Sequence, residues 1–333
     1  MAKKYFSNIV SEDNTLTFHL KNIDNTIPIP IANAVRRVLI SEINTVGIDK
    51  DSINIINNRT VLHNDFIKER LSFLPIKHTD RFVDYTFKLD IENNELELKE
   101  IYAKDIEVYE NSTKVAADKI FVYPDTLFTK LKFSNKLHFE AKLKLSTNKE
   151  DGSVFNPTCV SLYRFEKDDI KIKELLSKLE TEDDKLEFEQ GESERHYKKN
   201  EFEQPASYHF EVETIGGLES KKIVNKGFEV LKNKLLLLKG YIVEENTTKV
   251  IKSESKHMKG AVDYKILNED DTLGNILTYQ LHNNSSVNYA GYYIPHPNDN
   301  LIVIRVLADD TNKEMLKEID NLVLVLDKLI KEW

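Results

Sequence analysis

The chain is 333 residues long, 40% hydrophobic and 31% charged, with a formal net charge of −9, which suits a soluble globular protein with a large core and about two domains. That acidic balance argues against a broad nucleic-acid surface, which needs clustered lysine and arginine. The single cysteine, Cys159, excludes an internal disulfide and any cysteine-based zinc or iron–sulfur site. No apolar run reaches membrane-spanning length, and the amino terminus MAKKYFSNIVSEDN lacks the apolar core of a secretory signal, so no membrane association and an intracellular, reducing location are expected.

In chain order, residues 13–22 place Leu16, Phe18 and Leu20 at alternate positions, the pattern of a half-buried strand. Next, Ile31, Ala34, Val35, Val38 and Leu39 recur at helical spacing and form one buried stripe. Arg36 and Arg37 fall on its flanks, Asn33 and Ile40 on the far side, and Pro28 and Pro30 lead the chain in. Spacing alone leaves two readings: a surface helix with solvated arginines, or a docking face for another protein. Residues 44–61 carry strand signal, and Asn64 or Asp65 is placed to cap a helix ending before Pro75.

From about residue 79 to 170 the pattern turns to short alternating strands, at 85–91, 95–98, 106–109 and 138–145, which predict a β-rich subdomain inserted into the first domain. Residues 166–204 are charge-rich with an acidic excess. Ile170, Ile172, Leu175, Leu176 and Leu179 allow one amphipathic helix there, and the remainder reads as a solvated, mobile loop. A strand resumes over 207–215 with Tyr208, Phe210 and Val212 on one face, before Gly216 and Gly217 turn the chain.

Two long helices then carry narrow apolar seams. Val224, Phe228, Leu231, Leu235 and Leu238 form one, and Leu316, Ile319, Val323, Leu326 and Ile330 the other. Each seam has the spacing that packs helix on helix at a shallow angle, and the expectation is that they pack against each other. Residues 241–261 join the halves, with strand signal at 241–243 and 250–251. Beyond 262, a strand, a helix with the stripe Leu273, Ile276, Leu277 and Leu281 capped by Asp271 or Thr272, and strands at 287–294 and 301–307 repeat the plan of the amino-terminal half.

Catalytic chemistry is missing from this inventory. No glycine-rich phosphate loop occurs, since Gly216 and Gly217 stand alone, and no Asp-x-Asp-x-Asp cluster is present to hold magnesium. His196, His209, His257, His282 and His296 are scattered, and His296, between Pro295 and Pro297, reads as a turn residue. No catalytic residue, cofactor or metal is therefore expected.

The run NAVRRVLISE, then Thr45 to Asp49, a β-rich segment, and Asp65-Phe66-Ile67 with Glu69-Arg70-Leu71 to Leu74-Pro75-Ile76, resembles the alpha-type subunits of multisubunit RNA polymerases: bacterial alpha, archaeal D and the third-largest subunit of polymerase II. DDTLGNILTYQL, VNYAGYYIPHP and LIVIRV before the terminal helix resemble their small partner, the archaeal L subunit and the eleventh subunit of polymerase II. The segment from Tyr123 through residues 156–165 is similar to the inserted domain of archaeal and eukaryotic members, whose metal-binding cysteines are absent here. A fusion of the two partners resembles the polymerases of large cytoplasmic DNA viruses, including the poxvirus and asfarvirus lineages.

The resemblance implies an α+β fold of two alpha-like dimerisation domains, each an antiparallel sheet with packed helices. The first would comprise residues 1–78 and 205–240, interrupted by a β-rich insert at 79–204, and the second residues 262–333. It implies a non-catalytic assembly platform for a DNA-directed RNA polymerase, holding the largest, second-largest and smaller subunits without extensive DNA contact. Asn33, Arg36, Arg37, Ile40 and Arg70 would form the subunit interface; Asp271, Thr272, Leu273, Gly274, Asn275, Gly291, Pro295, His296 and Pro297 make up the small-domain motif. The DNA-binding tail of bacterial alpha is expected to be lacking after Trp333, and a viral source would place the protein in host cytoplasm and virion. The competing readings are a free-standing scaffold with an intramolecular dimer fold and a hydrolase using histidine and acidic residues of the insert.

Overall fold

The computed structural model describes residues 4–79 and 81–333, so Met1 to Lys3 of the segment read above against a secretory signal lie outside the described residues. The chain opens with strands β1 (Phe6–Glu12) and β2 (Thr15–Lys21) and helix α1 (Ile29–Ser41). It continues through β3 (Thr45–Ile48), β4 (Asn54–Asn58), α2 (Asn64–Ser72), β5 (Tyr85–Glu92), β6 (Lys99–Tyr102), β7 (Glu107–Glu110), β8 (Thr113–Val115), β9 (Leu127–Leu131), β10 (Lys136–Ser146) and the short α3 (Asn148–Asp151). Then come β11 (Thr158–Phe165), α4 (Asp169–Leu176), α5 (Glu182–Gln190), β12 (Ser207–Thr214) and α6 (Ser220–Val243). The last part holds β13 (Val250–Glu254), β14 (Val262–Leu267), α7 (Asp271–His282), β15 (Val287–Tyr293), β16 (Leu301–Ala308) and α8 (Thr311–Glu332).

These elements gather into two compact units. The first holds residues up to Val38, Ser161–Val212 and Val224–Trp333; the second holds Leu39–Val160 and Glu213–Ile223.

The first unit contains two four-stranded sheets, ordered β1-β2-β12-β11 and β13-β14-β16-β15. With each sheet's strands numbered along the chain, both run 1-2-4-3, and in both a helix follows the second strand and another the fourth. The β-β-α-β-β-α plan thus occurs twice; in the first copy, residues 39–160 of the second unit are spliced in from the end of α1 to the start of β11, its residues 213–223 lie between β12 and α6, and α4 and α5 are added between β11 and β12. Alternation drives the strands: Leu16, Phe18 and Leu20 of β2 and Tyr208, Phe210 and Val212 of β12 are fully buried, and Phe18 stacks on Phe210 with centroids 5.1 Å apart.

In the second unit, the six-stranded sheet runs β3-β10-β5-β7-β8, with β4 also on β10, beside a two-stranded β6-β9 sheet. The eleven-residue β10 is its spine, antiparallel to β5 from Lys136↔Glu92 to Lys142↔Thr86. Phe87 meets Phe121 edge to face at 5.5 Å and Phe128 meets Phe139 at 5.8 Å. Ile67 and Leu71 close this core from α2.

Several expectations change. The sequence pattern predicts an insert at 79–204, but Ile67, Leu71, Leu74 and Ile76 belong to the second unit's core, and β11 completes the first unit's sheet, so the splice falls near residues 39 and 160. The segment 166–204 is no unstructured loop: Asp168 and Thr181 cap α4 and α5, Phe165 packs on Tyr197 at 4.7 Å, and buried Phe188 stacks on His196. Widely spaced aromatic anchors and caps order it without an apolar stripe; Ile170 itself is exposed. Residues 95–98 form no strand, with Leu96 and Leu98 exposed, and 241–243 belong to the end of α6. His63, not Asn64 or Asp65, caps α2, because the Asn64 carboxamide oxygen accepts from Asn58 at 2.7 Å.

Candidate assembly interface

Within the first unit, the two copies of the plan meet along α6 and α8. Val224, Phe228, Leu231, Leu235 and Leu238 are buried on α6, and Met315, Ile319, Leu322, Leu326 and Leu329 on α8. Each residue of the second line lies 91 positions after its counterpart in the first (315 − 224 through 329 − 238), so the copies share a helical phase. The predicted seam on α8 is corrected accordingly. Ile319 and Leu326 are in the buried line, but Leu316, Val323 and Ile330 are only half-buried flanks. Both lines have the same 3-and-4 spacing and share two residues, so periodicity alone could not separate them. Buried Glu314 and Glu318, which accept from Asn284 Nδ2 at 2.7 and 2.8 Å, mark the face that turned inward.

Ion pairs set the direction. Lys232 meets Asp327 at 2.5 Å and Lys239 meets Asp320 at 2.6 Å. Seven residues forward on α6 (239 − 232) match seven back on α8 (327 − 320), so the helices run antiparallel. Near the end of α8, Trp333 packs against Phe6, Phe18 and Phe228 with centroids 4.8, 4.9 and 6.3 Å away, and Glu332 Oε1 accepts from the Phe6 amide at 3.0 Å. Lys234 of α6 pairs at 2.8 Å with Glu269, just before α7; these side chains are only 13% and 17% exposed.

Arg37 belongs to this intramolecular interface. Its Nε donates to Thr272 Oγ1 at 2.9 Å, and Nη2 lies 3.8 Å from Asp270 Oδ1. Asp270 caps α7 by accepting from the Thr272 amide at 2.9 Å, a place predicted for Asp271 or Thr272. Arg37 therefore adds a positive charge to a capped helix start of the other copy. Leu273 is buried and Asn275 partly exposed in the same helix. Gly274 is required there: a Cβ would lie 2.6 Å from Tyr292 Cδ2. The Tyr292 hydroxyl is pushed above its ordinary pKa by burial and by the charge and hydrogen bond of Asp271, against an opposing effect of Arg37. Gly291 lies beneath Tyr289, whose hydroxyl would sit 2.7 Å from an added Cβ.

The other expected interface residues divide. Arg36 Nε donates to Asn33 Oδ1 on the same helix at 3.0 Å, and Asn33, Arg36 and Ile40 are partly exposed. Arg70 is committed inside the second unit, donating to the carbonyls of Phe128 at 2.8 Å and Leu127 at 3.1 Å. Pro295, His296 and Pro297 form an exposed turn in which His296 Nδ1 accepts from the Asn298 amide at 3.1 Å. Among the described residues, no group of three or more His, Cys, Asp or Glu could hold a metal ion, and no helix is long and apolar enough to cross a membrane. Sequence reading missed Lys232, Lys234, Lys239, Glu269, Asp320 and Asp327. Single charges on helix flanks look like solubilising residues until the partner helix is placed.

Two copies of a β-β-α-β-β-α plan, joined by antiparallel helices, define an alpha-like dimerisation module folded from one polypeptide. The RNA polymerase Rpb3/Rpb11 dimerisation domain family matches residues 17–235 and, through its second form, residues 261–332; the chain belongs to this family. It is 38% identical over 114 residues to the Dictyostelium discoideum subunit rpac1 of RNA polymerases I and III, a match covering 34% of this chain and 29% of that protein. It is 38% identical over 77 residues to subunit Rpo11 of Saccharolobus solfataricus, covering 22% of this chain and 79% of that protein. To Schizosaccharomyces pombe polymerase II subunit RPB3 it is 24% identical over 270 residues, covering 72% and 88%.

Proposed function

We propose that this chain is a non-catalytic assembly platform of a DNA-directed RNA polymerase, carrying an alpha-like pair as one polypeptide. The observation that carries this reading is the doubled plan with its charge-paired helices, matched in both copies by the same dimerisation family. Fusion makes pairing intramolecular and raises the effective concentration of each half to roughly millimolar. The partly exposed face of α1 with Asn33, Arg36 and Ile40 would hold the second-largest subunit, and the small domain from residue 262 onward the largest. Chemistry would reside on those chains.

We place the protein among single-chain fusions of the kind carried by large cytoplasmic DNA viruses, working inside the host cytoplasm and packaged in the virion. Native purification of the tagged chain tests the reading. Recovery of two large catalytic subunits together with smaller ones is expected. A persistent monomer would favour a free-standing scaffold and overturn the proposal.

A further inference from the structure

Helix α2 is apolar on two sides. Ile67 and Leu71 enter the core, while Phe66 and Phe73 point out, 61% and 49% exposed, in line with Leu62 just before the helix. A helix with a second apolar stripe outside its own core has that stripe for something else. The outer stripe forms one wall of a groove of about 520 Å³ whose other wall is Thr126 and the first two residues of β9, Leu127 and Phe128. The groove runs into a second hollow of about 340 Å³, sharing Leu62, Arg70 and Leu127 and ending at exposed Val61 and Leu98. All of these residues belong to the second unit.

Charge names the occupant. The second hollow is lined by Arg70, Lys130 and Lys132 and by no carboxylate among its described residues. Arg70 is held by two neutral carbonyls, which fix its guanidinium without cancelling its charge, whereas Lys130 is partly offset by Glu100 at 2.7 Å. Glu69 is the lone carboxylate among the described residues of the first hollow. On a chain of net charge −9, this is a locally cationic, apolar channel. The five residues of β9 span about 13 Å, the length of roughly two and a half helical turns.

We infer that this groove is a docking site for a short amphipathic segment of a neighbouring subunit, apolar toward Phe66 and Phe73 and carrying carboxylates toward Arg70, Lys130 and Lys132. The occupant's being a polymerase subunit rests on the proposed function; its chemistry does not.

Two experiments separate these statements. First, the intact chain is titrated with a fluorescein-labelled helical peptide bearing leucines at i, i+4 and i+7 and flanking glutamates, and with the same peptide bearing lysines. The glutamate peptide should bind at least tenfold tighter. Phe66→Ser/Phe73→Ser should abolish binding while leaving the melting temperature unchanged, as both side chains are exposed. Equal binding of the two peptides, or binding unaffected by the double substitution, overturns the site. Second, a photo-crosslinking residue in place of Phe66 is activated in natively purified complex, and the captured peptide is sequenced. An acidic amphipathic segment of one subunit is expected. A basic segment, nucleic acid, a second copy of this chain or no capture in a multisubunit complex overturns the assignment. If the chain purifies alone, the platform reading fails while the peptide preference still decides the chemistry of the groove.

Discussion

Arg37 stands where a docking residue was expected, yet its guanidinium is engaged by the helix start of the same chain's second copy, and Arg37→Glu distinguishes the two roles. The substitution removes the hydrogen bond to Thr272 Oγ1 and the contact with Asp270. A hydrogen bond from a charged donor contributes about 1.5–3 kcal/mol when well buried. With the Arg37 side chain 36% exposed, about 1 kcal/mol is the appropriate share, and the 3.8 Å ion pair adds at most about 0.5 kcal/mol. A glutamate would then face the Asp270 carboxylate at about 5 Å, costing about 1 kcal/mol if fully solvated and about 3 kcal/mol at an effective dielectric of about 20. The sum, about 2–4.5 kcal/mol, lowers the melting temperature by roughly 4–18 °C in a domain of this size.

Arg36→Glu is the control, because the Arg36 guanidinium donates to Asn33 of its own helix, and it should shift melting by no more than about 2 °C. Differential scanning fluorimetry reads both variants, and native pull-down reads partner recovery. Unchanged melting for Arg37→Glu with loss of partner subunits would refute the intramolecular role and restore Arg37 to the docking face.

Further outcomes follow from the same geometry. Leu322→Ala, in the buried line, should cost about 2–4 kcal/mol in denaturant unfolding, and Leu316→Ala, on the half-buried flank, no more than about 1; the reverse order would mean that α8 has the originally predicted phase. Replacing glycine by alanine inside a helix usually stabilises by up to about 1 kcal/mol. Gly274→Ala should instead destabilise, because the new methyl meets the Tyr292 ring at 2.6 Å, and a higher melting temperature would contradict that packing.

Asp263 is held below the ordinary carboxylate pKa chiefly by the hydrogen bonds of Arg305, at 2.7 and 2.9 Å. A lowered folded-state pKa gives stability that is complete above the unfolded value, near 4, and lost as pH falls through the folded one. Asp263→Asn should therefore flatten the acid limb of the stability curve, and an unaltered limb would show that the pair is not linked to folding. Lys232→Glu should lower melting, and adding Asp327→Lys should recover most of the loss whereas adding Asp320→Lys should not; the reverse pattern would contradict the antiparallel pairing.

Much of the fold was legible because short-range periodicity carries it. The stripe Ile31 to Leu39 on α1, the alternation of β2 and β12, and the buried line of α6 all follow from 3.6- and 2-residue spacing, and their residues are buried as read. The doubled plan could also be read from the order of these signals. Three things depended on the tertiary structure. The phase of α8 did, because two equivalent apolar lines share Ile319 and Leu326 and only the partner surface selects one. So did the boundary of the insert, because strand pairing between β11 and β12 joins residues over forty positions apart, for which local pattern has no signal. The third was the role of the charged residues: Arg37, Arg70, Lys232 and Lys239 look alike in sequence, but their partners lie 235, 58, 95 and 81 residues away (272 − 37, 128 − 70, 327 − 232, 239 to 320). Sequence spacing tells which way a side chain points from its own helix, whereas its partner is set by how distant segments pack.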